Sequence, residues 1–155
     1  CMSPHTAFLI LQGLETLSLR MEKHISNTRD IVSFLNEHKE VKSVSYPELE
    51  NHPDNKLAQE ILPRGCGAVF TFEIEGGLES GKKFIESLNI FSHLANVGDA
   101  KSLVIHPAST THHRMDTLAL KNAGISESTV RLSIGIEDIN DLKEDLDEAL
   151  KQANR

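Results

Sequence analysis

The sequence has little of what several common classes of protein require. Its 155 residues include 2 cysteines, Cys1 and Cys66, too few for a disulfide framework, and neither belongs to a Cys-x-x-Cys pair of the redox or zinc kind. Both are expected as reduced thiols. The longest apolar stretch, Ala7 to Leu11, falls far short of the roughly 20 residues that cross a bilayer, so no transmembrane helix is expected. Positive charge is scarce: 16 Lys+Arg stand against 23 Asp+Glu, a formal net charge of −7, and no dense Lys/Arg stripe is present to meet a phosphate backbone or an anionic lipid surface. Nucleic acid and membrane are set aside as partners on that ground. The first residues, Cys1-Met2-Ser3-Pro4-His5, lack the cationic start and cleavage site of a secretory signal, which makes the cytoplasm the expected compartment. The chain opens on Cys1 rather than Met and enters an apolar segment almost at once, as a sequence cut from a longer one would. Repeats and low-complexity linkers are lacking too, and a hydrophobic fraction of 39% fits one ordinary acidic globular domain.

What is there is a clear succession of elements. Ser3-Pro4 reads as an N-cap followed by proline at the first helical position, where a missing N–H costs nothing. Apolar residues then recur at Phe8, Leu11, Leu14, Leu17 or Met21, Ile25, Val32 and Leu35, a helical stripe interrupted only by Gly13. A helix from Pro4 to about His38 would be about 50 Å long, against a radius of gyration of about 15 Å for a domain of this size. Two outcomes are open: the helix kinks and fills its own core, or its apolar first half meets an outside partner. Strands are expected at Val41 to Tyr46, with Val44 and Tyr46 on one face, at Ala68 to Ile74, near Ser92 to Ala95 and Ser102 to His106, and at Thr129 to Ile136. Helices are expected at Lys56 to Leu62, Leu78 to Leu88, Met115 to Asn122 and Ile139 to Ala153. The last carries Ile139, Leu142, Leu146, Ala149 and Leu150 as its buried stripe. The order predicts an α+β fold: a small, mostly antiparallel sheet with helices on one face, entered by a long N-terminal helix.

Few residues have the spacing of a reactive centre. His106, His112 and His113 are close in sequence but lie in a proline-containing loop with no acid before Asp116, so an ordered loop is favoured over a metal. Cys66, between Gly65 and Gly67, has only Arg64 nearby as a cation to activate it and reads as a small buried cysteine at a strand entrance. Gly98-Asp99-Ala100-Lys101 lacks the repeated glycines of a phosphate loop. Ser92-His93 has no Gly-x-Ser-x-Gly elbow around it. Arg131 stands out. Val130, Leu132, Ile134 and Ile136 occupy one face of its strand, while Arg131, Ser133 and Gly135 occupy the other, where small neighbours leave space above a guanidinium suited to gripping a carboxylate. An ordinary ion pair is the competing role.

The stretch Asn96-Val97-Gly98-Asp99-Ala100-Lys101, leading to His106-Pro107-Ala108-Ser109-Thr110-Thr111-His112, resembles the C-terminal part of the Cys/Met-metabolism pyridoxal-phosphate enzymes. Val130-Arg131-Leu132-Ser133-Ile134-Gly135-Ile136-Glu137-Asp138 resembles the same part, as do Gly13 to Met21 and Gly76 to Phe84, in the same order. The resemblance implies residues 1–40 as a long linking helix and 41–155 as the C-terminal, substrate-binding α+β domain of a fold-type I enzyme, with the cofactor-binding domain absent. It implies that Arg131 binds the α-carboxylate of the amino-acid substrate. Asn96, through its backbone more than its side chain, and Val97 would line the same pocket, with Thr111 at its edge. Pyridoxal 5'-phosphate would be held as a Schiff base by a lysine in a Ser-x-Thr-Lys context, which none of the 10 lysines here has. No catalytic, cofactor-binding or metal-binding residue is therefore expected in this chain, which alone would be inactive and without cofactor. Within the family the likeness is greatest to the members that replace the acetoxy group of O-acetylhomoserine with sulfide, giving homocysteine and acetate, and these imply a homotetramer. Cystathionine γ-synthase and methionine γ-lyase are the neighbouring activities. A stand-alone amino-acid-binding module and an interaction domain docking through the first helix are the alternatives from other classes.

Overall fold

The computed structural model describes residues 1–153. The long apolar segment forms two helices rather than one: α1 (Pro4–Glu15) and α2 (Leu17–Asn36). Ser3 caps α1 as expected, its hydroxyl accepting the Thr6 N–H at 3.1 Å. The helix runs straight through Gly13 and breaks at Thr16, whose φ/ψ of −106/7 leaves the helical region. A kinked helix filling its own core is not what forms, because α1 contributes no buried residue.

The remaining elements follow as β1 (Val41–Ser45), α3 (Asn55–Ile61), β2 (Val69–Ile74), α4 (Gly77–Ser87), β3 (Ser92–His93), β4 (Leu103–Ile105), α5 (Thr117–Asn122), β5 (Thr129–Ser133) and α6 (Ile139–Ala153). A short 3₁₀ turn covers Pro107–Ser109. One five-stranded sheet has the order β1-β2-β5-β4-β3, antiparallel throughout except for the parallel pair β3–β4. The α+β architecture anticipated from the sequence is the one observed.

Strand alternation divides the sheet into two unlike faces. Phe70, Phe72, Val130, Leu132 and Val104 point to one side, where α2, α4 and α6 cover them with Ile31, Val32, Leu35, Phe84, Leu142, Leu146 and Leu150. Phe72 and Phe84 meet edge to face with ring centroids 5.7 Å apart. The stripe expected of α6 is the one buried, apart from its half-buried first residue, Ile139. The opposite face carries Thr71, Arg131 and Ile105 side by side in register.

Strands β3 and β4 end at His93 and Ile105, short of Ala95 and His106, and β1 and β5 also end earlier than their residue types suggest. Tyr46 is buried but lies beyond β1, its hydroxyl donating to the Gly67 carbonyl at 2.9 Å. β5 stops at Ser133 rather than Ile136, because the backbone beyond it leaves the ladder: Gly135 N–H donates to Ser102 Oγ (2.8 Å) and Ile136 N–H to the Ala100 carbonyl (2.9 Å). Helix α2 is fastened to this segment by polar groups. His24 Nδ1–H donates to the Ile134 carbonyl (2.6 Å), and Asn27 Nδ2 donates to the carbonyls of Gly135 (3.1 Å) and Glu137 (2.9 Å).

Candidate functional site

Arg131 sits at the middle of β5, the central strand, on the face that the three large helices leave uncovered. Pairing with β2 and β4 fixes its backbone on both sides. Arg131 is half-buried as a residue and, among the described residues, no carboxylate lies within ion-pair distance of its guanidinium. The polar contact it makes is long, from Nη2 to the Asn96 carbonyl at 3.5 Å. Among the described residues, Arg131 is thus in no ion pair. A planar guanidinium whose donor fork is unmatched has the chemistry to donate two hydrogen bonds to a planar anion such as a carboxylate.

The surroundings differ from expectation in one respect. Ser133 and Gly135 do not leave open space on the Arg131 face, since both are buried. A Cβ on Gly135 would come within 2.3 Å of Glu137 Oε2 and 2.4 Å of the Ala100 carbonyl. The room at that end of the strand is filled by the root of the segment that follows β3.

That segment, residues 94–101, carries Asn96 and Val97. Asn96 is exposed and brings its carbonyl to Arg131, while its side-chain Oδ1 is taken up by the Val97 N–H at 2.9 Å. The Asn96 backbone, not its side chain, is what faces the guanidinium. Val97 is 65% exposed. Thr111 is exposed beyond the 3₁₀ turn, and the hydrogen bond of its hydroxyl is local, to His112 Nδ1 at 2.8 Å. The fold thus joins Asn96 to Arg131 directly and carries Val97 on the same segment, while among the described residues Thr111 has no hydrogen bond to either.

His106 is fully buried at the end of β4. Nε2–H donates to the Glu127 carbonyl (2.8 Å), so Nδ1 is the acceptor for the Ser109 hydroxyl (2.8 Å). Gly81 of α4 packs so tightly on this ring that a Cβ there would lie 2.4 Å from Nε2. Burial holds the imidazole below its ordinary value, the Glu127 carbonyl opposes this, and the nearby Lys82 and His93 charges add to it. The unfolded chain takes up this proton near pH 6.5, whereas the folded chain resists until lower pH. Stability from this group is thus fully present above about pH 6.5 and declines as the pH falls toward the folded value. Urea unfolding between pH 7.5 and 5 is expected to show the wild type losing stability faster than His106→Gln. Parallel pH profiles for the two proteins would refute the assignment.

His112 and His113 lie in the loop after the 3₁₀ turn, His113 exposed, and Cys66 is held beside Glu48. His113 Nδ1 lies 2.8 Å from the Thr110 carbonyl, and among the described residues no group of three or more His, Cys, Asp or Glu is arranged to hold a metal. Cys66 is half-buried beside Glu48, whose carboxylate accepts its N–H at 2.8 Å. Burial and the Glu48 charge push the thiol up, away from the nucleophilic thiolate. The cation that partly opposes this is Arg29 of α2, paired with Glu48 at 2.6 Å, and not the sequence neighbour Arg64.

Each of the 10 lysines is exposed or half-buried. The central strand carries the Arg131 guanidinium, with the Asn96 backbone next to it.

With this fold and this anchor, the chain belongs to the Cys/Met metabolism PLP-dependent enzymes, whose family pattern it matches over residues 1–151. It is 49% identical over 150 residues to an O-acetyl-L-homoserine sulfhydrylase of Leptospira meyeri, covering 96% of this chain and 34% of that protein. It is 40% identical to an L-methionine gamma-lyase of Fusobacterium nucleatum subsp. nucleatum, over 97% of this chain and 38% of that one. Among solved structures it superposes with a TM-score of 0.88 and 40% identity on an O-acetylhomoserine (thiol)-lyase of Campylobacter jejuni that carries N'-pyridoxyl-lysine-5'-monophosphate, over 97% of this chain and 36% of that chain. The chain spans about a third of the length of the relatives it matches.

Proposed function

We propose that this chain is the C-terminal, substrate-binding domain of a pyridoxal-phosphate-dependent O-acetylhomoserine sulfhydrylase, which converts O-acetylhomoserine and sulfide to homocysteine and acetate. The observation that carries the reading is Arg131: a half-buried arginine on the central strand with no carboxylate partner among the described residues, in a chain 49% identical to a sulfhydrylase. In this reading Arg131 grips the α-carboxylate of the amino acid, with Asn96 and Val97 lining the same pocket and Thr111 at its edge. Fixing the carboxylate orients the bonds at Cα, an effect able to supply several kcal/mol of barrier lowering. The cofactor, held by residues outside this chain, supplies the electron sink. The isolated chain is then expected to be inactive and cofactor-free.

Residues 1–40 serve as the linking helices and 41–155 as the domain proper. The exposed side chains of α1, with Phe8 at 55% and Leu11 at 60%, support a docking role toward the rest of the longer polypeptide or its oligomeric neighbours in a homotetramer. A groove bounded by Leu14, Leu17, Met21, Ile25, Ile61 and Leu62 extends this apolar surface. No described helix is long and apolar enough to cross a membrane, and a cytoplasmic location is part of the proposal.

The test is turnover by the full-length polypeptide that carries this chain, supplied with O-acetylhomoserine and sulfide. Homocysteine and acetate are the expected products. The 40% identity to a methionine gamma-lyase sustains a second reading. Release of methanethiol from methionine, without homocysteine formation, would replace the first reading by the second.

A further inference from the structure

Segment 94–101 connects β3 to β4, and its own hydrogen bonds are short-range: Leu94 N–H to the Ser92 carbonyl, Val97 N–H to Asn96 Oδ1, and Lys101 N–H to Asp99 Oδ1. Its attachment to the sheet is concentrated at its root. Ser102 is fully buried there, and Glu137 closes on it with both carboxylate oxygens. Oε1 accepts the Ser102 N–H at 2.6 Å and Oε2 accepts the Ser102 hydroxyl at 2.9 Å. The direction of the second bond is fixed, because Ser102 Oγ already accepts the Gly135 N–H at 2.8 Å and so turns its own proton to Glu137. Ile136 N–H adds a bond to the Ala100 carbonyl at 2.9 Å. Glu137 is held in turn by Asn27 of α2, whose amide donates to its carbonyl at 2.9 Å.

The chemistry of this clamp is specific. Two donors on one residue converge on one side chain, and a bidentate acceptor satisfies both without bringing a donor of its own. The clamp also joins the two halves of the candidate site. Glu137 follows β5, the strand that carries Arg131, while Ser102 ends the segment that presents Asn96 to Arg131 at 3.5 Å. We infer that Glu137 is a positioning residue: by clamping Ser102 it sets the distance between segment 94–101 and the Arg131 guanidinium, and thereby the affinity for the substrate carboxylate. This rests on the reading of Arg131 given above.

The experiment uses the full-length polypeptide and two readouts. Glu137→Ala removes both acceptors. It is expected to raise KM for O-acetylhomoserine about tenfold while kcat changes by less than about threefold, since the defect lies in carboxylate binding. Glu137→Gln keeps an oxygen for the Ser102 N–H and can donate to Ser102 Oγ, so it should restore KM to within about threefold. In an Arg131→Ala background the Glu137→Ala effect should vanish, because residues acting through one contact are not additive. Independently of turnover, amide hydrogen exchange across residues 94–102 should quicken in Glu137→Ala while β2 and α6 are unchanged. Should Glu137→Ala not fold, Glu137→Asp, one methylene short of Ser102, is measured for the same pattern. Additive effects with Arg131→Ala, or unchanged exchange across 94–102, would overturn the inference. A wild type that turns over no O-acetylhomoserine would sink the functional reading instead, and the exchange measurement would still decide whether Glu137 holds the segment.

Discussion

Replacing Asp145 with alanine is expected to cost about 3–5 kcal/mol of folding stability, more than most single substitutions in this chain. Asp145 lies in α6 at 5% exposure, an acid placed among the buried positions of an amphipathic helix. Its carboxylate accepts the backbone N–H groups of Asn89 (2.8 Å), Ile90 (2.9 Å) and Phe91 (3.4 Å), the turn by which the chain leaves α4 and enters β3. Removing the side chain relieves the burial of one charge, which favours the variant, but strands backbone donors in the same place at about 1–3 kcal/mol each. The second effect exceeds the first because several donors depend on one acceptor group. Asp145→Asn, which keeps one acceptor oxygen but turns an amide NH₂ on the same turn, should lose less. The measurement is the urea midpoint of each variant at constant m-value. A loss under about 1 kcal/mol for Asp145→Ala would mean that water replaces the carboxylate at little cost.

Arg131→Ala in the full-length polypeptide is expected to lower kcat/KM for O-acetylhomoserine by more than about 30-fold, or about 2 kcal/mol, the worth of a charge-assisted bidentate contact. Folding should be nearly unaffected, since Arg131 has no ion-pair partner among the described residues and its protein contact is one 3.5 Å hydrogen bond. Arg131→Lys keeps the charge without the planar fork and should fall between the two. The separation of activity from stability makes this informative: a drop in kcat/KM with an unchanged unfolding midpoint places the loss at the substrate, and an unchanged kcat/KM removes Arg131 from the site.

The legible parts of the fold are those governed by short-range rules. The stripe of α6, the β-branched run at Val69–Ile74 and the Ser3 cap each depend on residues within a few positions of one another, and each forms where expected to within a residue or two. The failures have a common physical origin. Gly13 carries the weaker helix propensity, yet the helix breaks at Thr16. β5 was expected to reach Ile136, but Ser102 and Ala100 draw away the N–H groups of Gly135 and Ile136. The polar residues most important to the architecture, His24, Asn27, Ser102, Glu137 and Asp145, sit where residue type alone predicts exposure. Their partners lie far along the chain, so no local pattern announces them. One signal for Glu137 was present: an acid two residues after a glycine, immediately beyond an apolar strand.

By itself the sequence determined the element order, the α+β class, the two-faced character of the Arg131 strand and, through its motifs, the kinship with Cys/Met-metabolism enzymes, because each of these is written in periodicity or in contiguous residues. Only the tertiary structure decided that Arg131 is left without a carboxylate among the described residues, that α1 buries nothing in this domain, and that Glu137 and Ser102 tie the segment bearing Asn96 to the strand bearing Arg131. Pairing and burial are properties of groups brought together across tens of residues, and the energies that select them are desolvation and hydrogen bonding in the assembled interior, which have no counterpart along the unfolded chain.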